Sequence, residues 1–123
     1  MLLNQRVVII DSVGILAALY SIAQAAYVGG SFKQGVHNVM EPAIYGIPVI
    51  YGPVHTNSYE AVRLNQEGGG IIISNTDEFQ YQLEKFIQDK KSRISTGKKA
   101  EEFALKNTGA TAKLLDLWKP ILE

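Results

Sequence analysis

Between Gly29 and Pro42 the chain carries the residues best suited to chemistry: Gly29-Gly30-Ser31-Phe32, then His37, Asn38 and Glu41-Pro42. A glycine pair lets backbone come close to a ligand, because no Cβ intervenes and a positive φ costs little. Where such a loop opens into a helix, the unpaired N–H groups of the first turn and the helix dipole favour an anion such as phosphate. Glu41 adds a carboxylate to that setting. A carboxylate suits sugar hydroxyls better than phosphate oxygens, so the combination points to a nucleotide or nucleotide-sugar site. Plainer readings stand beside these. Gly29 and Gly30 also fit a tight turn after a strand. His37 and Asn38 are as able to fasten the loop to itself as to touch a ligand. Asn38 and Glu41 have the N-x-x-E spacing of a capping box. That register puts Pro42 at the fourth helical position, where its missing N–H loses a helix bond. Proline favours the first helical position with an extended residue before it, so the preferred reading starts a helix at Pro42 and leaves Glu41 free at its entrance.

Little else competes for a catalytic role. Neither Ser12 nor Ser31 has an evident histidine–carboxylate relay. There is no P-loop and no G-x-G-x-x-G fingerprint. His55, after Gly52-Pro53, reads as a surface loop residue, and Lys90, Lys91, Arg93, Lys98 and Lys99 read as a solvated helical face. With no cysteine and only 2 histidines, thiolate and histidine-rich metal sites are not expected, and no cofactor is indicated.

The elements that must position these residues follow from pattern. Val7 to Ile10 is a β-branched run and reads as a buried strand. Asp11 or Ser12 can cap the next helix, whose apolar positions are Ile15, Leu16, Leu19, Tyr20, Ile22 and Ala23. Tyr27-Val28 makes a second strand. Pro42 to Tyr45 begins a short helix that Gly46 ends in a left-handed conformation, and Pro48 to Tyr51 makes the third strand. A helix over Ser58 to Gln66 is broken by Gly68-Gly69-Gly70, and Ile71 to Ile73 gives a fourth strand. Asn75 and Glu78 form a capping box for a helix with Phe79, Leu83, Phe86 and Ile87 on one stripe and Lys90-Lys91 at its C-terminal end. Two more helices are read near Ser95 to Lys106 and Thr111 to Leu122, separated by Gly109, with Pro120 limiting the last. Strands alternating with helices imply an α/β fold, a parallel sheet of about four strands with helices on both faces.

The 123 residues are 46% hydrophobic and suffice for one domain, 1–123, with a core. Twelve basic residues balance 12 acidic ones, so no nucleic-acid partner is expected. Ser12 to Phe32 is free of charge, yet Gly14, Ser21, Gln24, Gly29, Gly30 and Ser31 interrupt it, so it reads as a buried helix and strand rather than a membrane span. Leu2-Leu3 is too short for the apolar core of a signal peptide. Four strands make a small sheet that begins almost at residue 1, and buried parallel strands need neighbours, so the chain reads as a piece of a longer protein.

Several blocks in unbroken order resemble one family. They are Asp11-Ser12-Val13-Gly14-Ile15-Leu16, the helix with Leu19-Tyr20, Tyr27-Val28-Gly29-Gly30-Ser31-Phe32, Gly35 to Pro42, and Gly46 to Pro53. From about Val7 onward the chain is similar to the C-terminal half of the 3-deoxy-D-manno-octulosonic acid (Kdo) transferases. The G-G-S-F and H-N-x-x-E-P blocks are specific, whereas E-P with G-x-P marks only the wider GT-B glycosyltransferase class. The resemblance implies an incomplete Rossmann-like GT-B C-terminal domain that binds the donor CMP-Kdo. It implies transfer of Kdo to a lipid A precursor at the cytoplasmic face of the bacterial inner membrane, in lipopolysaccharide biosynthesis. Gly30, Ser31 and Phe32 would line the phosphate side, and Gly29 and His37 are counted with the substrate-binding residues. Asn38 and Glu41 would help hold the nucleotide, with Glu41 accepting from the ribose hydroxyls. The acceptor site, the membrane anchor and the catalytic carboxylate belong to the family's N-terminal domain, so no catalytic residue is expected here and the chain alone would be inactive.

Two positions depart from the family: Ile15 stands where glutamate is usual, and Val36 where a second glycine is frequent. In a GT-B sheet the strand at Val7 does not neighbour the strand at Tyr27, so the chain is expected to re-pair these strands or exchange them between copies in a homodimer. Two other readings compete with this one. One is a GT-B enzyme using a UDP-sugar, and the other is a non-catalytic Rossmann-like module holding an anion or a protein.

Overall fold

The β-branched run around Val49 becomes the middle of the sheet. The computed structural model describes residues 15–30, 35, 38–55 and 58–107. Within them the order is α1 (Leu16–Ile22), β1 (Ala26–Tyr27), α2 (Met40–Ala43), β2 (Val49–Tyr51), α3 (Tyr59–Gln66), β3 (Gly70–Ile72), α4 (Thr76–Gln88) and α5 (Lys90–Asn107). The strands are parallel in the order β1-β2-β3, with Tyr27 opposite Ile50 and Ile50 opposite Ile71. The ladder continues past two of them: Val28 N–H donates to the Ile50 carbonyl and Ile73 N–H to that of Tyr51, each at 2.9 Å. The α/β parallel architecture is therefore as the sequence implies, with three of the expected strands among the described residues. The strand at Val7 to Ile10, its re-pairing and the helix at Thr111 to Leu122 lie outside them.

Side chains alternate across a strand, and β2 is buried on both faces. Val49 and Tyr51 join Val28, Val39, Ala43, Ala61, Leu64, Ala100, Phe103 and Ala104 in one core, so α2, α3 and α5 cover that face. Ile50 joins Ile73 and Phe86 under α4, with Ile71 and Phe79 packed against them. Among the described residues no helix is long and apolar enough to cross a membrane. In α1, Leu19 and Tyr20 are half-buried while Leu16 and Ile22 are exposed, so only part of its expected apolar face is covered.

Of the caps read from the sequence, that at Asn75 holds with a refinement, whereas α1 begins at Leu16 with Ile15 as its N-cap and no side-chain cap, not at Asp11 or Ser12. Ser58 Oγ accepts the Ala61 N–H at 3.1 Å and starts α3. Asn75 Oδ1 accepts the Glu78 N–H at 2.8 Å, but the Glu78 carboxylate returns to the N–H of Ser74, not of Asn75. Phe86 is buried on the α4 stripe, whereas Ile87 is 66% exposed and falls off it. Lys90-Lys91 do not end α4. That helix stops at Gln88, and Asp89, its C-cap, accepts the Ser92 N–H at 3.0 Å through Oδ1 and so starts α5. The two lysines therefore sit in the first turn of α5, which begins five residues before the Ser95 read from sequence. Lys90, Lys91, Lys98 and Lys99 are exposed as a solvated face requires. Arg93 leaves that face, because its Nη1 donates to the Phe86 carbonyl at 3.0 Å.

α5 docks through small residues. Gly97 lies so close to the Gly46 carbonyl that a Cβ there would overlap it, and Ala100 lies against Gly69. These contacts fall on the turns that enter β2 and β3, at the ends of the strands opposite the glycine loop.

Candidate functional site

The site is built on the segment between β1 and β2. Beyond Val28 the chain turns at Gly30, whose φ of 87° excludes most side chains. The Gly30 carbonyl accepts the Gly35 N–H at 2.8 Å, which closes the loop on itself. A Cβ at Gly29 would meet nothing within 4 Å, so that backbone faces open space. Gly30 thus serves the turn, while Gly29 keeps the surface of the loop bare. Ser31, Phe32 and His37 lie outside the described residues.

Asn38 and Glu41 lie at the start of α2. Asn38 Oδ1 accepts the Met40 N–H at 2.9 Å, so this side chain fastens the loop to the helix. It is not the capping box of the N-x-x-E reading. The formal N-cap is Val39, which has no side-chain cap. The helix begins at Met40, two residues before Pro42, and Glu41 is itself helical instead of extended. Pro42 becomes the third helical residue, where its missing N–H is one of the groups no helix bond uses, so the steric preference for an extended residue before proline is overridden without loss of a hydrogen bond. Gly46 ends the turn at a φ of 74°, as expected.

A helix of four residues has little macrodipole, and Asn38 already occupies one of its first N–H groups. The anion-favouring character expected of this helix is therefore slight, and any phosphate would depend on the loop backbone. What α2 does provide is a fixed base for Glu41. Val39, Pro42 and Ala43 are buried, and α5 packs beneath them. Glu41 itself is exposed in the first turn.

Three tyrosines, which the sequence reading used only as members of a helix or strand, make further contacts in this region. The Tyr20 ring of α1 packs 5.9 Å from that of Tyr45, four residues after Glu41. Burial first, and then the Glu41 carboxylate, push the Tyr20 hydroxyl above its ordinary pKa. Tyr51 is fully buried, and its hydroxyl donates to the Ala61 carbonyl of α3 at 2.5 Å while the Asn65 N–H points at it. Burial holds this phenol well above its ordinary pKa. Its ring runs beneath Gly70, which has no room for a Cβ. The third glycine of Gly68-Gly69-Gly70 was the available signal: more than a helix break, it clears space for an aromatic ring. His55 is half-buried rather than a free surface residue. Its ring meets that of Tyr51 edge-on at 6.0 Å, and its buried Nδ1 has no hydrogen-bond partner.

No family model matches the chain. Curated proteins do match it. The 3-deoxy-D-manno-octulosonic acid transferase of Haemophilus influenzae is 38% identical over 123 residues, covering 98% of this chain and 29% of that protein. The enzyme of the same name from Aquifex aeolicus is 38% identical over 103 residues, covering 81% of this chain and 29% of that protein. The chain is a relative of the Kdo transferases. It spans a little over a quarter of their length. A solved structure agrees in fold: the C-terminal CMP-Kdo binding domain of WaaA from Acinetobacter baumannii superposes with a TM-score of 0.69 at 24% identity, over 76% of this chain and 50% of that one. The parallel sheet with flanking helices is thus the Rossmann-like arrangement of a GT-B C-terminal domain. Of the departures from the Kdo transferase pattern, Ile15 is the exposed N-cap of α1 and supplies no side-chain cap, and Val36 lies outside the described residues.

Proposed function

We propose that the chain is the donor-binding part of a Kdo transferase and holds CMP-Kdo for transfer to a lipid A precursor. The observation that carries this reading is Glu41, an exposed carboxylate on a helical turn anchored in the core, on the same β1–β2 connection as the bare backbone of Gly29. A carboxylate accepts two hydrogen bonds, which suits the vicinal hydroxyls of a ribose. In the proposed site Gly29, Gly30, Ser31 and Phe32 bind the phosphate side of the donor, and His37 and Asn38 help hold the nucleotide. In the reaction an acceptor oxygen bonds to the anomeric carbon of Kdo as the bond from that carbon to the CMP phosphate oxygen breaks. The electron pair leaves with CMP. The acceptor proton passes to a base on a part of the protein this chain does not span. Backbone N–H groups of the loop stabilise the departing phosphate.

The whole protein would work at the cytoplasmic face of the inner membrane, where its acceptor lies, and the chain alone would not transfer Kdo. Strand exchange into a homodimer belongs to the same proposal, because β1 is an edge of the described sheet and an uncovered edge accepts a further strand.

Amide NMR titration of the chain with CMP, with UMP and AMP as controls, tests the reading. Selective shifts at Gly30, Ser31, Asn38 and Glu41 with CMP are expected. Equal or stronger response to UMP would favour a UDP-sugar enzyme. Silence toward all three nucleotides, in this chain and in the full-length protein, would favour a non-catalytic module.

A further inference from the structure

We propose that His55 is a donor-site residue: its Nε2 hydrogen-bonds an oxyanion of CMP-Kdo, either the phosphate or the carboxylate of the Kdo sugar. This inference rests on the donor-site reading and extends the site from the loop after β1 to the loop after β2.

The strand ladder brings the two loops together. Tyr27 stands opposite Ile50, and the Val28 N–H donates to the Ile50 carbonyl. One further step in the same register sets Gly29 level with Gly52, on strands about 5 Å apart. His55 follows three residues after Gly52. It therefore stands at the carboxyl ends of the strands, where open α/β sheets bind their ligands. Its side of the sheet is fixed as well. The ring lies 6.0 Å from that of Tyr51, and Tyr51 belongs to the core that α2, α3 and α5 cover. Glu41 is carried on α2, over that same face.

The backbone of His55 is held in place while the ring nitrogens are idle. Its N–H donates to the Pro53 carbonyl at 3.0 Å, and its carbonyl accepts the N–H of Ser58, the N-cap of α3, at 3.1 Å. Nδ1 is buried without a partner. Nε2 is not among the buried unpaired atoms and takes no hydrogen bond among the described residues, so it is open to solvent. No carboxylate among those residues forms an ion pair with the ring. A buried polar atom left unpaired costs stability, so this imidazole does little for the fold. Nε2 donates both from the imidazolium and from the neutral tautomer that carries its proton there. An oxyanion is the acceptor that such a donor binds most strongly. CMP-Kdo has one at its phosphate and one at the Kdo carboxylate, and a neutral sugar lacks the second.

The test is calorimetric titration of the chain with CMP and with CMP-Kdo, for the wild type, E41Q, H55F and H55Q. H55F keeps a ring against Tyr51 and removes both nitrogens, whereas H55Q keeps an N–H donor near the place of Nε2. H55F should weaken binding roughly 2- to 10-fold, and H55Q should recover part of the loss. A loss with both ligands assigns the phosphate as the acceptor, and a loss with CMP-Kdo alone assigns the Kdo carboxylate. The thermal midpoint of H55F should be unchanged or raised, because the unpaired Nδ1 is gone. If H55F lowers the midpoint and the affinity together and H55Q does no better, the histidine is structural and the proposal is overturned. If E41Q weakens CMP while H55F binds both ligands as tightly as the wild type, the role of His55 is overturned and the donor reading stands. If the wild type binds neither ligand, or E41Q binds both as tightly, the donor reading falls and takes this inference with it. Ring-¹⁵N NMR reads the same contact in the unaltered protein. The Nε2 signal of His55 should move on saturation with CMP-Kdo, and a stationary signal would overturn the proposal.

Discussion

Tyr51 shows how much one hydroxyl can decide. It lies in the middle strand, yet its polar end is spent inside α3, between the Ala61 carbonyl and the Asn65 N–H. Removing it in Y51F strands buried backbone groups, and the expected loss is about 1–3 kcal/mol of unfolding free energy, read by urea titration. The same residue sets an alkaline limit. Its folded pKa lies above the ordinary 10.0, so its contribution is complete below pH 10.0 and is lost as the pH rises from there toward the raised folded value. Wild-type stability should fall in that window, and Y51F should show a shallower fall. An equal slope in both proteins would mean that other groups govern the alkaline transition. Glu41 is the contrasting case: it is exposed, and the residues around it, not Glu41 itself, hold α2 in the core.

Among the elements, α5 has the most to explain. Its buried face is Gly97, Ala100, Phe103 and Ala104, three of them too small to give a strong hydrophobic signal. The run Lys90 to Ile94 is mostly polar, and one residue, Asp89, ends one helix and starts the next. The sequence therefore showed the helix from about Ser95 but not its first turns, and it assigned Lys90-Lys91 to the wrong helix. Where a short polar side chain caps a long apolar stripe, as at Asn75, the sequence was a sufficient guide. The start of α2 was misread because the missing N–H of a proline costs nothing at the third helical position either. The turn at Gly30 and the helix end at Gly46 were legible in residue type, but not the role of Asn38 as a fastener or the packing of the tyrosines of neighbouring elements. Those depend on α1 lying against α2, which no local pattern announces. Gly97→Ala tests the docking of α5. Alanine favours a helix over glycine by about 1 kcal/mol, but its Cβ would meet the Gly46 carbonyl, which is backbone and cannot swing aside. A net loss of about 2 kcal/mol is expected, seen as a lowered thermal midpoint. A raised midpoint would show that α5 does not press on this turn.

At the scale of the molecule, the sheet is covered on both faces, and among the described residues β1 is one of its edges. Tyr27 on that strand is 45% exposed although it packs edge-on against Phe79, and Ile22, just before it, is 72% exposed. An apolar edge of this kind favours association. Sedimentation of the chain over a hundredfold range of concentration is expected to show dimers growing with concentration, and the same experiment on the full-length protein should not show this contact. A monomer at every concentration would remove strand exchange from the proposal.

The grip of α5 on the turns before β2 and β3 has a mechanical consequence. Both crossover units are clamped at one end of the strands, while the loop of Gly29 and Gly30 lies at the other. A pull on Glu41 would be carried through α2 into α5 and shared by the whole sheet, as through a lever bolted at its base. A ligand held there would travel with the sheet as one stiff body, and its aim would be set by how that body is hinged to whatever it faces.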